Sequence, residues 1–476
     1  MIRAALAFAV LIPAFVGCAL RSAPTQTDIL EQALPPETII PADWVAGRDA
    51  GAVSDGWLNS FNDPTLEAIV AEALANNLDL RQAADKVEVA RQMVTVVGAQ
   101  LLPQIGGKLA GKRTHDFGSE DFIKHTQSHT VAALSMAWEL DVWGRLRSQR
   151  AAAEAEFDAA VFDFAYGQQS LAATVALNWY ITTEAYQLLL LAERAVEIYG
   201  GLLELARIRN SSGKSSDLDV VDARARMENA QSELEAARIH YDRARRTLEV
   251  LLGRYPAAEI RSAAQYPPLP PPVAAGLPAT LLERRPDILA AEYLVLAAFR
   301  KQEAARLALL PDFGLSLTAE RLGDHLLKVL RLSPYRASAE IGATIPIYEG
   351  GALCAYLNIA TAEQAEAVAN YGSVVLNAFR EVENALASEA LLARQLEYAQ
   401  RALADRTRAV EIATVQYRAG KRDLLWVEEL QAEQILVEAN VIQLRNAQVA
   451  NRIRLHLALG GNFEAPPAAP APESGK

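Results

Sequence analysis

The spacing of apolar positions along this chain switches between two periods, and the switches come twice in the same order. Residues 63–94, "DPTLEAIVAEALANNLDLRQAADKVEVARQMV", place apolar side chains three and four apart. That predicts a helix with Asp63 as N-cap and Pro64 at its first position. "RRPDILAAEYLVLAAFRKQEAARLALL" (residues 284–310) plays the same part in the second half. Each run ends on "LLP", because the residue before a proline is pushed out of helical geometry. The period then drops to two. In residues 130–142, Ala132, Leu134, Met136, Trp138, Leu140 and Val142 fall on one face; small or polar residues, among them Ala133, Ser135, Glu139 and Asp141, weight the other. Residues 313–320 set Phe313, Leu315 and Leu317 against Gly314, Ser316, Thr318 and Glu320, and residues 337–348 alternate likewise. Glycine-rich residues 104–114 give a weaker strand. Segments of about ten alternating residues suit a tilted membrane-spanning strand. Alternation alone also fits a soluble two-sided sheet.

After the strands the helical period returns for much longer: residues 144–210 and 218–252, then 352–418 and 424–459, all without proline. Sixty helical residues reach roughly 90 Å. Leu188, Leu191, Ala195 and Ile198 mark a narrow apolar seam of the coiled-coil kind.

The two halves align. Gly213-Lys214 and Gly420-Lys421 are 207 residues apart, as are Gly253 and Gly460; "LLPQ" at Leu101 and "LLPD" at Leu309 are 208 apart. The chain is a tandem duplication. Its expected divisions are a first copy over 63–255 and a second over 280–462. A stiff proline-rich linker covers 256–279 and a disordered tail 463–476. Each glycine-lysine pair interrupts the helical run and marks the turn of a long hairpin.

The first residues read "MIRAALAFAVLIPAFVGCAL": a basic start, an apolar run too short to span a membrane, and a small residue before Cys18. This is the layout of a secretory signal over 1–17. "FVGC" is similar to a bacterial lipoprotein signal with Phe15 in the usual place of leucine, which implies acylation at Cys18 and an acylated extended segment over 18–62. A plain signal peptide with an incidental cysteine is the other reading. Ala19 in such a lipoprotein implies sorting to the outer membrane. No later stretch is a convincing membrane-spanning helix, so a chain that crosses a membrane must do so as a closed barrel.

Net charge of -12 argues against a nucleic-acid partner. No phosphate loop, "HExxH" pair, nucleophile elbow or clustered cysteine and histidine ligands occur. Neither catalysis, a cofactor nor a metal is expected. Acidic runs such as "VEELQAEQ" read as ordinary helix faces, and Cys354 as a free buried thiol.

Short alternating strands, long helices, duplication and a lipid-anchor signal occur together here. With "LLERRPDILAAE", "ELDVWGRLRS", "PIYEGG" and "YRAGKRDLLWVEELQAE" in that setting, the chain resembles the TolC-like outer-membrane efflux factors, in their lipoprotein branch attached to resistance-nodulation-division pumps. The resemblance implies an α+β membrane protein. Three subunits would give four strands each to a twelve-stranded outer-membrane β-barrel, continued by a periplasmic α-helical coiled-coil tunnel. Residues 115–128 and 323–335 would face outside. It implies a homotrimeric exit duct for drugs or other small molecules, held in outer-membrane lipid and driven by an inner-membrane efflux transporter through a periplasmic adaptor. A protein-secretion duct and a poreless periplasmic scaffold are the alternatives. Carried over by position, Leu425 and Glu429 become constricting residues at the periplasmic tip, with Leu218 and Asp222 as first-copy counterparts. Gly213, Lys214, Gly420 and Lys421 form the tip turns. The family's arginine three residues after the acid is Ala432 here, so Arg224 or Arg226 is the candidate substitute.

Overall fold

The computed structural model describes residues 20–47, 51, 53, 55–115, 126–323 and 335–463. Cys18 and the signal segment lie outside the described residues, as do most of the two expected external loops and the tail beyond Phe463. In chain order the elements are α1 (Gln26–Ala33), α2 (Pro64–Asn76), α3 (Leu78–Gly98), β1 (Gln104–His115), β2 (Thr126–Leu140), α4 (Arg145–Ser211) and α5 (Asp217–Leu251). Then follow α6 (Pro278–Arg284), α7 (Pro286–Leu307), β3 (Asp312–Gly323), β4 (Arg336–Thr344), α8 (Ala352–Arg418) and α9 (Leu424–Ala458). They divide into two units: Met1–Thr38, Asp85–Phe162 and Ala290–Ser373; and Ile39–Ala84, Asp163–Leu289 and Val374–Lys476.

The first unit carries a four-stranded antiparallel sheet in the order β1-β2-β3-β4, so one copy's strands pair with the other's. Register decides the faces. Ile105 sits opposite Met136, which sits opposite Leu317, which sits opposite Ala339; Leu315, opposite Trp138, pairs with Ile341 on the same face. The other face carries Gln104, Ala137, Ser316 and Glu340 in one row and Lys108, Ala133, Glu320 and Arg336 in another. Ile105, Leu109, Leu134, Leu317 and Ile341 are all exposed, so no described residue of this chain covers the apolar face. A soluble sheet would bury such a face, whereas a membrane strand turns it to lipid. Among the described residues no helix is long and apolar enough to cross a membrane.

Strand limits differ modestly from the sequence expectation. β1 is continuous despite its glycines, because all twelve of its residues pair with β2. β4 stops at Thr344, short of Tyr348, since Pro346 offers no N–H to a ladder. Trp138 and Trp143 tie the strand ends to the chain nearby, their indole N–H groups donating to the carbonyls of Leu101 and Pro311 at 2.9 and 2.8 Å. The segment after residue 18 is not extended throughout: Thr25 and Asp28 form a capping box that starts α1. Cys354 is exposed in the single chain, not buried, because it lies in the first turn of α8 on a side that this chain leaves open.

In the second unit Asp63 does what its position predicts. Its carboxylate accepts from the Thr65 and Leu66 amides and, through the other oxygen, from the buried Trp179 indole at 2.8 Å. The expected single helix over 63–94 is broken at Asn77, whose ψ of 129° leaves helical space. The Asn77 amide donates to the carbonyl of Leu251 and its oxygen caps the Leu80 amide, so a contact 174 residues away sets the break. The second copy breaks at Arg285, 208 residues on, where Pro286 pushes ψ to 118°. That helix therefore begins at Pro286, not Arg284, and it ends at Leu307, short of Leu310.

Gly253 and Gly460 pack on these breaks. A Cβ at Gly253 would lie 2.7 Å from the Asn76 carbonyl oxygen, and one at Gly460 would lie 3.0 Å from that of Arg284. Arg285 is buried and forks onto Asp287 while reaching Glu381 and the carbonyl of Ala458. "RRPD" is thus a structural lock. The proline-rich linker is pinned as well: buried Arg452 donates to the carbonyls of Pro270 and Pro271 and pairs with Glu389.

Candidate functional site

Both hairpins end in the same backbone device. Gly213, at φ 67°, donates to the carbonyl of Asn210, and Lys214 to that of Arg209. Gly420, at φ 74°, donates to Tyr417, and Lys421 to Gln416. These are Schellman caps, which need a left-handed residue and so favour glycine. Two residues after each lysine a polar side chain starts the return helix: Ser216 accepts from the Asp219 amide and Asp423 from the Trp426 amide. The four expected turn residues therefore reverse the chain, each lysine contributing its backbone N–H.

The helices that leave these turns differ in what they bury. On α9, Leu424, Val427, Glu428 and Gln431 are buried, a helical stripe at spacings of three and four. Leu424 and Val427 join Tyr417, Ala206 and Ala223 in one apolar cluster. The neighbouring rows point away from this core. Leu425 is 48% exposed, Leu218 is 73% exposed, and Glu429 is exposed. Leu425 and Glu429 of the second copy, and Leu218 of the first, thus lie on surface that no described residue buries.

Asp222 is different. Arg226, one turn on, places Nε 3.0 Å from Asp222 Oδ2 and 3.0 Å from Glu428 Oε2. One guanidinium so bridges the first hairpin to the second. Arg226 is the substitute arginine the sequence pointed to, but its second partner is Glu428, not Glu429. Among the described residues Glu429 and Arg224 make no ion pair.

Glu428 is 1% exposed and its Oε1 has no hydrogen-bond partner. Burial pushes its carboxyl up to about 7, against the pull of Arg226 and with Asp222 and Asp219 adding to the rise. The hydrogen bond from Arg226 holds Asp222 below the ordinary carboxylate range. A second tie joins the hairpins. Arg209 donates to the Tyr417 carbonyl at 2.9 Å and lies 4.5 Å from the centre of its ring. The sequence reading missed Glu428, taking the "VEEL" run for a solvated face. The signal was there: counting three and four from Leu424 lands on Val427, Glu428 and Gln431.

The profile of the outer membrane efflux protein family matches residues 69–254 and 277–461. The pyoverdine export outer membrane protein OpmQ of Pseudomonas putida is 29% identical over 437 residues, covering 89% of this chain and 92% of the relative. The probable efflux pump outer membrane protein TtgC of Pseudomonas putida is 30% identical over 455 residues, covering 90% and 91%. A crystal structure of CusC superposes with a TM-score of 0.79 at 27% identity, over 92% of this chain and 99% of that one.

Proposed function

The chain belongs to the outer membrane efflux protein family, and on that premise we propose that its hairpin tips form the periplasmic closure of the duct, with Leu425 and Glu429 in the constriction and Leu218 and Asp222 beside them. The protein is the outer-membrane channel of a tripartite efflux pump, a trimer whose three four-stranded sheets make one barrel above a helical tunnel. Four strands cannot close around a usable pore, so the barrel itself calls for three chains. A poreless scaffold would have no use for the uncovered face of Leu134, Leu317 and Ile341.

The observation that carries the closure is the exposure pattern at the tips. Leu424 and Glu428 are buried while their neighbours Leu425 and Glu429 are not, so the second tip turns a leucine-acid row away from its own core, and the first tip turns out Leu218. Three copies would gather these rows at an axis, where carboxylates favour cations and leucines exclude water. Leu425→Ser combined with Glu429→Ala is expected to raise single-channel conductance in planar bilayers; unchanged conductance would remove the assignment.

In this reading the duct is passive. Small molecules reach it from an inner-membrane transporter through a periplasmic adaptor, and it carries out no catalysis. Cys18 is the proposed acyl anchor. What supports this is the order of a basic start, a short apolar run and a small residue directly before Cys18. Acyl chains on it would enter outer-membrane lipid, each buried methylene contributing about 0.8 kcal/mol. The two copies over 63–255 and 280–462 and the linker over 256–279 are the proposed divisions.

A further inference from the structure

The polar face of the sheet is not uniformly charged. Register sorts its charges by height above the helices. The lower rows hold Asp312, Glu139 and Glu340. Arg145 binds both Glu139 oxygens, at 2.6 and 2.8 Å, and sits 3.8 Å from Asp312. These four groups leave two net negative charges per chain.

The upper rows hold Lys108, level with Ala133, Glu320 and Arg336, and Lys112, level with His129. Arg336 lies 3.6 Å from Glu320. Lys108 and Lys112 are exposed, and no described residue pairs with either. Among the described residues, the upper rows of the polar face, with Lys108, Lys112 and Arg336 against Glu320, therefore carry two net positive charges per chain. Gly106 and Ala110 flank Lys108 on its own face, and a Cβ at Gly106 would meet only the Ser135 hydroxyl, at 3.8 Å, so small neighbours surround Lys108 along β1.

We infer that the outer half of the barrel lumen carries a cationic collar of Lys108 and Lys112, six lysines in the trimer, which concentrates carboxylate- or phosphate-bearing small molecules at the exit. The inference rests on the channel reading, since it needs the polar face to line water. A water-filled bore with low-dielectric walls focuses fixed charge, and the local concentration of an oppositely charged solute rises with it. The acidic inner half acts in the opposite sense, so an anion that passes the barrel leaves a repelling stretch for an attracting one.

The test reads the potential directly. Single cysteines are placed on the lumen face at Ala133→Cys, level with Lys108, and at Ala137→Cys, level with Glu340. Both go into a Cys354→Ser background, because Cys354 is an exposed thiol. Intact cells are treated with a sulfonate-bearing or a trimethylammonium-bearing methanethiosulfonate, and the two rates are compared. The expected result is a preference for the anionic reagent at 133 and for the cationic reagent at 137. Lys108→Gln with Lys112→Gln should lower the anion-to-cation rate ratio at 133 by about tenfold. A ratio at 133 that the lysine substitutions leave unchanged overturns the collar alone. Failure of both reagents at both positions in an assembled trimer overturns the lumen assignment and the collar with it.

Discussion

Replacing Glu428 with glutamine isolates the bridge between the two hairpins. Glu428 is buried, and its carboxyl is pushed up to about 7 from an ordinary value of 4.5. The sign follows. Below about pH 4.5 the group is neutral both folded and unfolded, and it costs nothing. Between 4.5 and 7 the unfolded or locally opened state loses its proton first, so stability at the tip falls as pH rises. Above 7 the loss is complete, at most about 3 kcal/mol, taking 1.36 kcal/mol for each pH unit across which the two states differ by one proton. Asp222, held below its ordinary range, opposes this only under more acidic conditions, where it gains its proton. Glutamine keeps the shape, removes the titration and leaves Arg226 paired with Asp222. The expected outcome is a tip whose protection no longer depends on pH from 5 to 7.5, and which at pH 7.5 opens up to about a hundredfold less often than wild type. Amide hydrogen exchange of residues 424–431 in the detergent-solubilised channel, corrected for the intrinsic pH dependence of exchange, measures this. A wild-type tip with flat protection over that range, or a variant less protected than wild type at pH 7.5, would refute the argument.

Two further outcomes follow from the backbone and the sheet. Gly213→Ala, with positive φ and open space, is expected to cost about 1 kcal/mol, whereas Gly253→Ala meets the Asn76 carbonyl as well and should cost roughly 3 kcal/mol or more; thermal denaturation of the pair should separate them clearly. Leu134→Arg, on the face assigned to lipid, should destabilise the barrel by about 2–4 kcal/mol while Ser135→Arg, its neighbour on the lumen face, is tolerated; equal effects on heat-resistant trimer would refute the face assignment, and the opposite order would reverse it.

Much of this fold could be read from the chain because its signals are local. The ends of the long helices fall within a residue of the expected positions, since each C-terminus is a Schellman glycine and the α5 and α9 starts are capped by Ser216 and Asp423. The alternating strands were legible for the same reason: a period of two needs no partner to be seen. What escaped was set by distant contacts. Asn77 breaks a helix to meet the carbonyl of Leu251, and residues 76 and 77 alone do not announce it. Glycine-rich β1 becomes a full strand because β2 pairs with every residue of it. Glu428 was misread because its burial depends on packing against the other hairpin, about 200 residues earlier in the chain.

The two copies share their scaffold and diverge at the tips, and the divergence builds the bridge. Caps, helix breaks and carbonyl-packed glycines recur at offsets of 207 or 208. The proposed closure residues recur too: Leu218 with Leu425, Asp222 with Glu429. The bridging residues do not. Glu428 aligns with Val221, and Arg226 with Glu433, which pairs instead with Arg406. The second tie follows suit, Arg209 aligning with Gln416 and Tyr417 with Asn210. Two identical hairpins would offer each other the same groups, and a valine opposite a valine makes no ion pair. Because the copies are not equivalent, one supplies the cation and the other the buried acid, and the second tip presents Leu425 and Glu429 from a position fixed by its non-identical twin.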